Sequence, residues 1–184
     1  TKRVMTHLER AADLVASFKQ VAVDQTADDT RDFELGEYLR EVILSLMPKF
    51  KNTPHELRVE VGERIDLLSY PGAIAQVVTN LVLNALIHGL DGIGRGLVTV
   101  SAVSSGDEVR LTVSDNGKGI PLADQGVIFQ PFFTTRRNTG GTGLGLNVVY
   151  NLVTQRLKGR IEFESAPNTG TRFIVSFPYR VTAP

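Results

Sequence analysis

The sequence predicts a two-layer α/β sandwich, with helices packed on one face of a mixed sheet. Three observations lead there. Short runs with period-two alternation, such as Val109 to Asp115 and Arg172 to Phe177, read as strands. The apolar stretch from Pro71 to His88 is too long for a strand and places its polar residues at helical spacing. Strand and helix patterns alternate along the chain, so the helices must cover a sheet rather than each other.

The elements follow in order. Val4, Leu8, Ala11, Val15, Phe18 and Ala22 recur at spacings of four and three, which predicts a helix over residues 4–25. It is either an amphipathic helix on the domain's own core or part of a dimeric helical hairpin. Asp24 to Asp32 is a polar linker. Phe33 and Leu35 begin a strand, and a helix through Leu39, Val42, Ile43 and Leu46 is expected to stop near Pro48. Leu57-Val59-Val61 and Ile65-Leu67 alternate as strands, and Pro71 suits the first turn of the next helix. Leu97 to Val103 pairs with Val109 to Asp115 through Ser104-Ser105-Gly106-Asp107. Residues 116–142 hold seven glycines and prolines, which predicts a long functional loop. Leu144 to Leu157 is helical, and Ile161 to Ser165 with Arg172 to Phe177 closes the chain as a hairpin.

Composition narrows the function. The 184 residues suit one core, expected to bury roughly 70% of the unfolded surface without a disulfide or structural metal. Twenty basic residues balance twenty acidic ones, so no net field recruits nucleic acid, and phosphate binding must be local. There is no cysteine, which excludes thiolate chemistry and suits a reducing cytoplasm. No apolar signal core follows Lys2 and Arg3, and Gln76, Thr79, Asn80 and Asn84 interrupt the most apolar stretch, so no membrane span is expected. The chain opens on Thr1, so we expect a fragment of a longer protein.

Three motifs carry chemistry. Gln76, Asn80, Asn84 and His88 lie four apart and form one helical ridge, either a solvated stripe or a polar wall facing a ligand. Asp115-Asn116-Gly117-Lys118-Gly119-Ile120-Pro121 follows a strand. It is either turn chemistry or an acceptor for an exocyclic amine with bare backbone for a flat ring. Gly140-Gly141-Thr142-Gly143-Leu144-Gly145-Leu146 opens a helix, as a hinge or as a phosphate cradle. Between them, Phe129-Gln130-Pro131-Phe132-Phe133-Thr134-Thr135-Arg136-Arg137 reads as a lid with exposed aromatics and paired cations.

In this order and at these gaps, the motifs closely resemble the ATPase domain of sensor histidine kinases, over about residues 33–178. The resemblance implies the Bergerat-type ATP fold for residues 33–180, with residues 1–27 as the end of a dimerisation and phosphoacceptor hairpin. It implies that Asn84 ligates a phosphate-bridging Mg²⁺ and that Asn80 supports it, the two being the candidate catalytic residues. Asp115 would take the adenine amino group, with Gly117 and Gly119 lining the slot. The backbone of Gly141, Thr142, Gly143, Leu144, Gly145 and Leu146 would meet the phosphates. His88, Ile120, Thr134, Thr135, Arg136, Arg137 and Thr171 complete the implied ATP contacts. The implied parent is a homodimer that passes phosphate to the receiver domain of a response regulator. Its kinase domain would be cytoplasmic, with the parent anchored in the inner membrane in some forms.

Two departures matter. Asn80 stands where hydrolysing relatives such as gyrase and heat-shock chaperones carry a glutamate, which favours phosphoryl transfer over hydrolysis. Ile87 stands where many histidine kinases have a basic residue. No acceptor histidine is expected: His55 begins His-Glu-Leu-Arg but runs into an alternating strand, His7 lacks the acceptor pattern, and His88 belongs to the ridge. The rival functions are an anti-sigma-type serine kinase, which shares Asn-Ala-x-x-His-Gly, and a nucleotide-binding module without catalysis.

Overall fold

The computed structural model describes residues 29–135 and 143–181. The heptad segment at residues 4–25 therefore lies outside the described residues.

The chain runs β1 (Arg31–Glu34), α1 (Leu35–Phe50), β2 (Glu56–Glu60), β3 (Asp66–Ser69) and α2 (Pro71–Asn84). β4 (Leu97–Ser105), β5 (Glu108–Asp115), a short α3 (Leu122–Gln125), α4 (Gly145–Asn151), β6 (Arg160–Ala166) and β7 (Gly170–Pro178) follow. A five-stranded sheet has the order β2-β4-β5-β7-β6, antiparallel except for the parallel β2–β4 pair. The expected single sheet is divided: β1 and β3 form their own antiparallel ribbon, to which Arg180 adds a bridge at Leu68.

Alternation sorts the sheet's faces. Val98, Val100, Val109, Leu111, Val113, Phe173, Val175 and Phe177 point inward and are buried, as are Leu39, Val42, Ile74, Val78 and Val153 from the helices. Thr99, Thr112, Ser114 and Arg172 point outward. Such a sheet needs cover on one side only, which is why its strands alternate.

Helix α1 is capped by Glu34, whose carboxylate accepts the N–H groups of Gly36 (3.0 Å), Glu37 (2.7 Å) and Ile65 (3.0 Å). Burial pushes the Glu34 carboxyl up, but these amides and Arg40 bring it below its usual range. Pro48 sits inside α1 rather than ending it, and the helix continues to Phe50. Both α2 and α4 run on into a wider π turn, Ala85–Gly89 and Leu152–Arg156. Pro71–Gly89 is in fact long and apolar enough to cross a membrane by length and composition. Its buried residues instead fill the centre of this core, and its polar ridge breaks the apolar surface.

Candidate functional site

At one end of the sheet the inward row turns from apolar to polar. Val113, Phe173 and Phe163 are cross-strand partners; two residues further along, the row is Asp115, Thr171 and Ser165. Asp115 Oδ1 accepts the Gly117 N–H at 2.9 Å. Burial pushes its carboxyl above the usual aspartate range, and the N–H groups of Gly117 and Thr171 bring it part of the way back. A desolvated carboxylate with unused acceptor capacity is suited to bind a donor brought by a ligand.

The loop after Asp115 is clamped on both sides. The Lys118 N–H donates to the Gly89 carbonyl (2.9 Å), and the Lys118 carbonyl accepts the Asn168 N–H (2.8 Å). Lys118 Nζ reaches Asp91 at 3.3 Å. The approach is close enough to demand glycine. A Cβ on Gly117 would lie 2.1 Å from the Gly89 oxygen, and one on Gly119 (φ 72°) would lie 2.1 Å from the Ala166 oxygen. The Ile120 N–H donates to Ser165 Oγ at 2.8 Å. Gly89 presses on the carboxylate itself: a Cβ there would meet Asp115 Oδ1 at 2.9 Å.

The other half brings the start of α4 onto α2. A Cβ placed on Gly145 would sit 3.5 Å from Asn80 Oδ1 and 3.8 Å from Asn84 Oδ1, so the glycine-rich helix start faces the asparagine ridge. Asn80 turns its amide nitrogen back to the Gln76 carbonyl (3.0 Å), which fixes its side chain. Asn84 Nδ2 is buried and, among the described residues, has no hydrogen-bond partner. An amide left so costs about 1–3 kcal/mol, which a ligand at this point would recover. His88 lies in the π turn, half-buried, and Gln76 is exposed, so the ridge narrows to Asn80, Asn84 and His88.

The lid corrects one expectation. Phe129 is not exposed: it packs among Tyr150, Phe163 and Phe173 at centroid distances of 5.8, 6.0 and 6.3 Å, and Phe133 also lies against the core. Only Phe132 is largely exposed, at 65%, and Gly143 lies against its backbone. Asn147 Nδ2 ties the base of the lid to α4 by donating to the Phe129 carbonyl (3.1 Å). Thr134 is half-buried and Thr135 exposed, while Leu144 and Leu146 flank Gly145. Arg136, Arg137, Gly141 and Thr142 lie outside the described residues.

Residues 70–181, which hold both halves of this site, match the family described as histidine kinase-, DNA gyrase B- and HSP90-like ATPase. The chain belongs to that ATPase family. It is 36% identical over 146 residues to the alginate biosynthesis sensor protein KinB of Pseudomonas aeruginosa, covering 79% of this chain and 24% of that protein. It is 41% identical over 129 residues to the sensor histidine kinase ZraS of Escherichia coli strain K12, covering 69% and 26%. The chain thus spans about a quarter of the length of these curated relatives. The catalytic domain of the histidine kinase ThkA superposes with a TM-score of 0.72 at 29% identity, covering 83% of this chain and 97% of that one.

Within this ATPase domain the donor set fits a nucleotide-bound magnesium better than a protein-caged metal. Among the described residues no group of three or more His, Cys, Asp or Glu could hold a metal ion. Mg²⁺ commonly takes one or two protein oxygens and draws the rest from phosphates and water. Asn84, with Asn80 beside it, offers that minimum. A separate cleft of about 580 Å³ on the outer side of the sheet is lined by Thr99, Ser114, Glu164 and Arg172 along with Asp115 and Thr171. Asn80, Asn84 and Gly145 take no part in it, so it is not where the two halves meet.

The sequence reading missed Gly89 and Ser165. Gly89 was visible within Asn-Ala-x-x-His-Gly but carries no functional group to draw attention. Ser165 continues the inward alternation of Ile161 and Phe163, and a hydroxyl at an inward position was its signal.

Proposed function

We propose that this domain binds MgATP and donates its γ-phosphoryl group to a histidine on a dimerisation hairpin, as part of a two-component sensor kinase. The observation that carries this is the convergence of Gly145 on Asn80 and Asn84, on the helix whose end, Gly89, packs against the desolvated Asp115 carboxylate. Adenine sits against Asp115 and donates an amino N–H hydrogen bond to its carboxylate, while the phosphates lie beside the asparagines and the start of α4. Asn84 would hold Mg²⁺ through its side-chain oxygen, with Asn80 in support. Bound there, the metal would neutralise charge on the phosphates. An imidazole nitrogen attacks the γ-phosphorus, the bond to the bridging oxygen breaks, and ADP leaves with the electron pair. Asn80 is a poor base for activating water, which favours transfer over hydrolysis. Arg136 and Arg137 provide cationic contacts to the terminal phosphate, a need sharpened by exposed Ile87 on the ridge helix.

In this reading residues 1–27 end the hairpin, the parent is a dimer, and phosphate passes on to a response-regulator receiver. ATP as the donor places the domain on the cytoplasmic side. His55 is unsuited as acceptor, because its Nδ1 takes the Gly96 N–H at 3.0 Å and serves to hold the loop before β4. Incubation with γ-labelled ATP should leave no acid-labile, alkali-stable label on the chain. A label on His7 or His55 would overturn this assignment. Calorimetry separates the roles within the site. Asp115→Asn should weaken ATP roughly tenfold to a hundredfold with or without Mg²⁺, since about 1.5–3 kcal/mol of charged acceptor is lost. Asn84→Ala should instead abolish the advantage that Mg²⁺ gives. Equal losses in both conditions for both variants would refute the division.

A further inference from the structure

We infer that Ser165 is a specificity-determining residue that makes the end of the adenine slot acceptor-only, by fixing the direction of the Thr171 hydroxyl. The inference rests on the ATP reading above. Ser165 Oγ has three partners: it takes the Ile120 N–H at 2.8 Å, gives to the Gly170 carbonyl at 3.0 Å, and lies 3.0 Å from Thr171 Oγ1. A serine hydroxyl has one proton. The Gly170 carbonyl can only accept, so it receives that proton. The Ser165–Thr171 bond must then be made with the Thr171 proton.

Thr171 is 6% exposed and stands directly across from Asp115 on the inner face. With its proton turned back toward Ser165, its hydroxyl offers only lone pairs to the slot. The ionised Asp115 carboxylate likewise offers only lone pairs. Two neighbouring acceptors favour a base that presents an amino group and oppose one that presents a carbonyl oxygen. A hydroxyl free to rotate would have lowered that contrast, because it could donate to the carbonyl. Ser165 touches no base in this account; it acts through Thr171. The contacts of Gln125 Nε2, which reaches the carbonyls of Ile120 and Ser165 at 3.1 Å each, hold the loop in place. They do not set hydrogen-bond direction.

That distinction makes the test. The full 184-residue chain is titrated calorimetrically with ATP and with inosine triphosphate, which carries a carbonyl oxygen where ATP carries the amino group. Ser165→Ala frees the Thr171 proton and should narrow the ATP-to-inosine-triphosphate affinity ratio roughly threefold to tenfold, the worth of one neutral hydrogen bond. Ser165→Cys, which leaves Thr171 only a weak acceptor, should narrow it in the same direction by less and serves if the alanine variant melts. Gln125→Leu loosens the loop without releasing Thr171, so its ratio should match the parent chain. An unchanged ratio in the folded Ser165 variants overturns the inference, as does an equal narrowing in Gln125→Leu. Asp115→Asn guards the underlying reading. If it leaves the ratio unchanged, Asp115 does not read the base and both conclusions fall. If it collapses the ratio while the Ser165 variants do not, only the inference fails.

Discussion

The two sides of this site, proposed here as its adenine side and its phosphate side, are built in opposite ways. Around Asp115 the backbone is knitted: Gly89, Lys118, Ile120, Ser165, Asn168 and Thr171 exchange hydrogen bonds, and backbone fills the space where a Cβ on Gly117 or Gly119 would stand. Around Asn84 the start of α4 faces the asparagine side chains closely enough that a Cβ on Gly145 would touch them, and among the described residues a buried amide nitrogen is left without a partner. In the proposed binding mode, one half is shaped before the nucleotide arrives and the other is completed by it. A flat, neutral ring gains most from a preformed site, since little ordering remains to be done on binding. A flexible triphosphate with its metal needs groups that can adjust, and side chains not yet fully hydrogen-bonded provide them.

Glycine substitutions test this contrast most severely. Gly117→Ala would drive a methyl into the Gly89 carbonyl, and the close contact at 2.1 Å cannot be relieved by a side-chain rotation. The expected result is loss of measurable ATP binding by calorimetry and a lowered melting temperature without ligand, from overpacking of about 1–3 kcal/mol or more. Gly145→Ala should behave in the opposite sense. Its methyl would meet Asn80 Oδ1 at an ordinary 3.5 Å, and alanine gains about 0.5–1 kcal/mol over glycine in a helix. The ligand-free protein should melt no lower than the parent, while ATP, whose phosphates lie there in the proposed mode, binds less tightly. A ligand-free protein destabilised by Gly145→Ala would show that the phosphate side is as tightly built as the adenine side.

The same contrast explains what could be read in advance. The sandwich was legible because inward and outward residues alternate along β4, β5 and β7, and the asparagine ridge because side chains four apart share a helix face. Asp115, Gly117 and Gly119 were legible as a loop directly after a strand, but the same residues also make ordinary turns. Gly89 and Ser165 were not, since each takes its meaning from a partner far along the chain: Gly89 from Lys118, and Ser165 from Ile120. The separate β1–β3 ribbon escaped for the same reason, being a choice of strand partner that alternation leaves open. Phe129 was misread as exposed because its contacts, Phe163 and Phe173, lie on the closing hairpin.

The smallest expected effect, and the most specific to the adenine side, is in the pH dependence of Asp115. Burial raises its native carboxyl above the ordinary 3.8, so between that value and the native one the folded chain holds a proton that the unfolded chain has released. Stability from this group is therefore fully present below the unfolded value and is lost as pH rises through the native one. ATP binding should run the other way, because in the proposed mode the ionised carboxylate is the stronger acceptor for the adenine amino N–H; affinity should fall as pH drops through the same window. Asp115→Asn removes the titration and leaves a side-chain oxygen for the Gly117 and Thr171 amides. Denaturant melts of the ligand-free proteins, compared from pH 4 upward, should show the variant gaining on the parent chain as pH rises, even though it binds ATP less well at every pH in which the aspartate is charged. If the parent gains instead, the carboxylate is stabilised rather than strained in the empty slot, and the adenine side is not held in readiness at a cost to the fold.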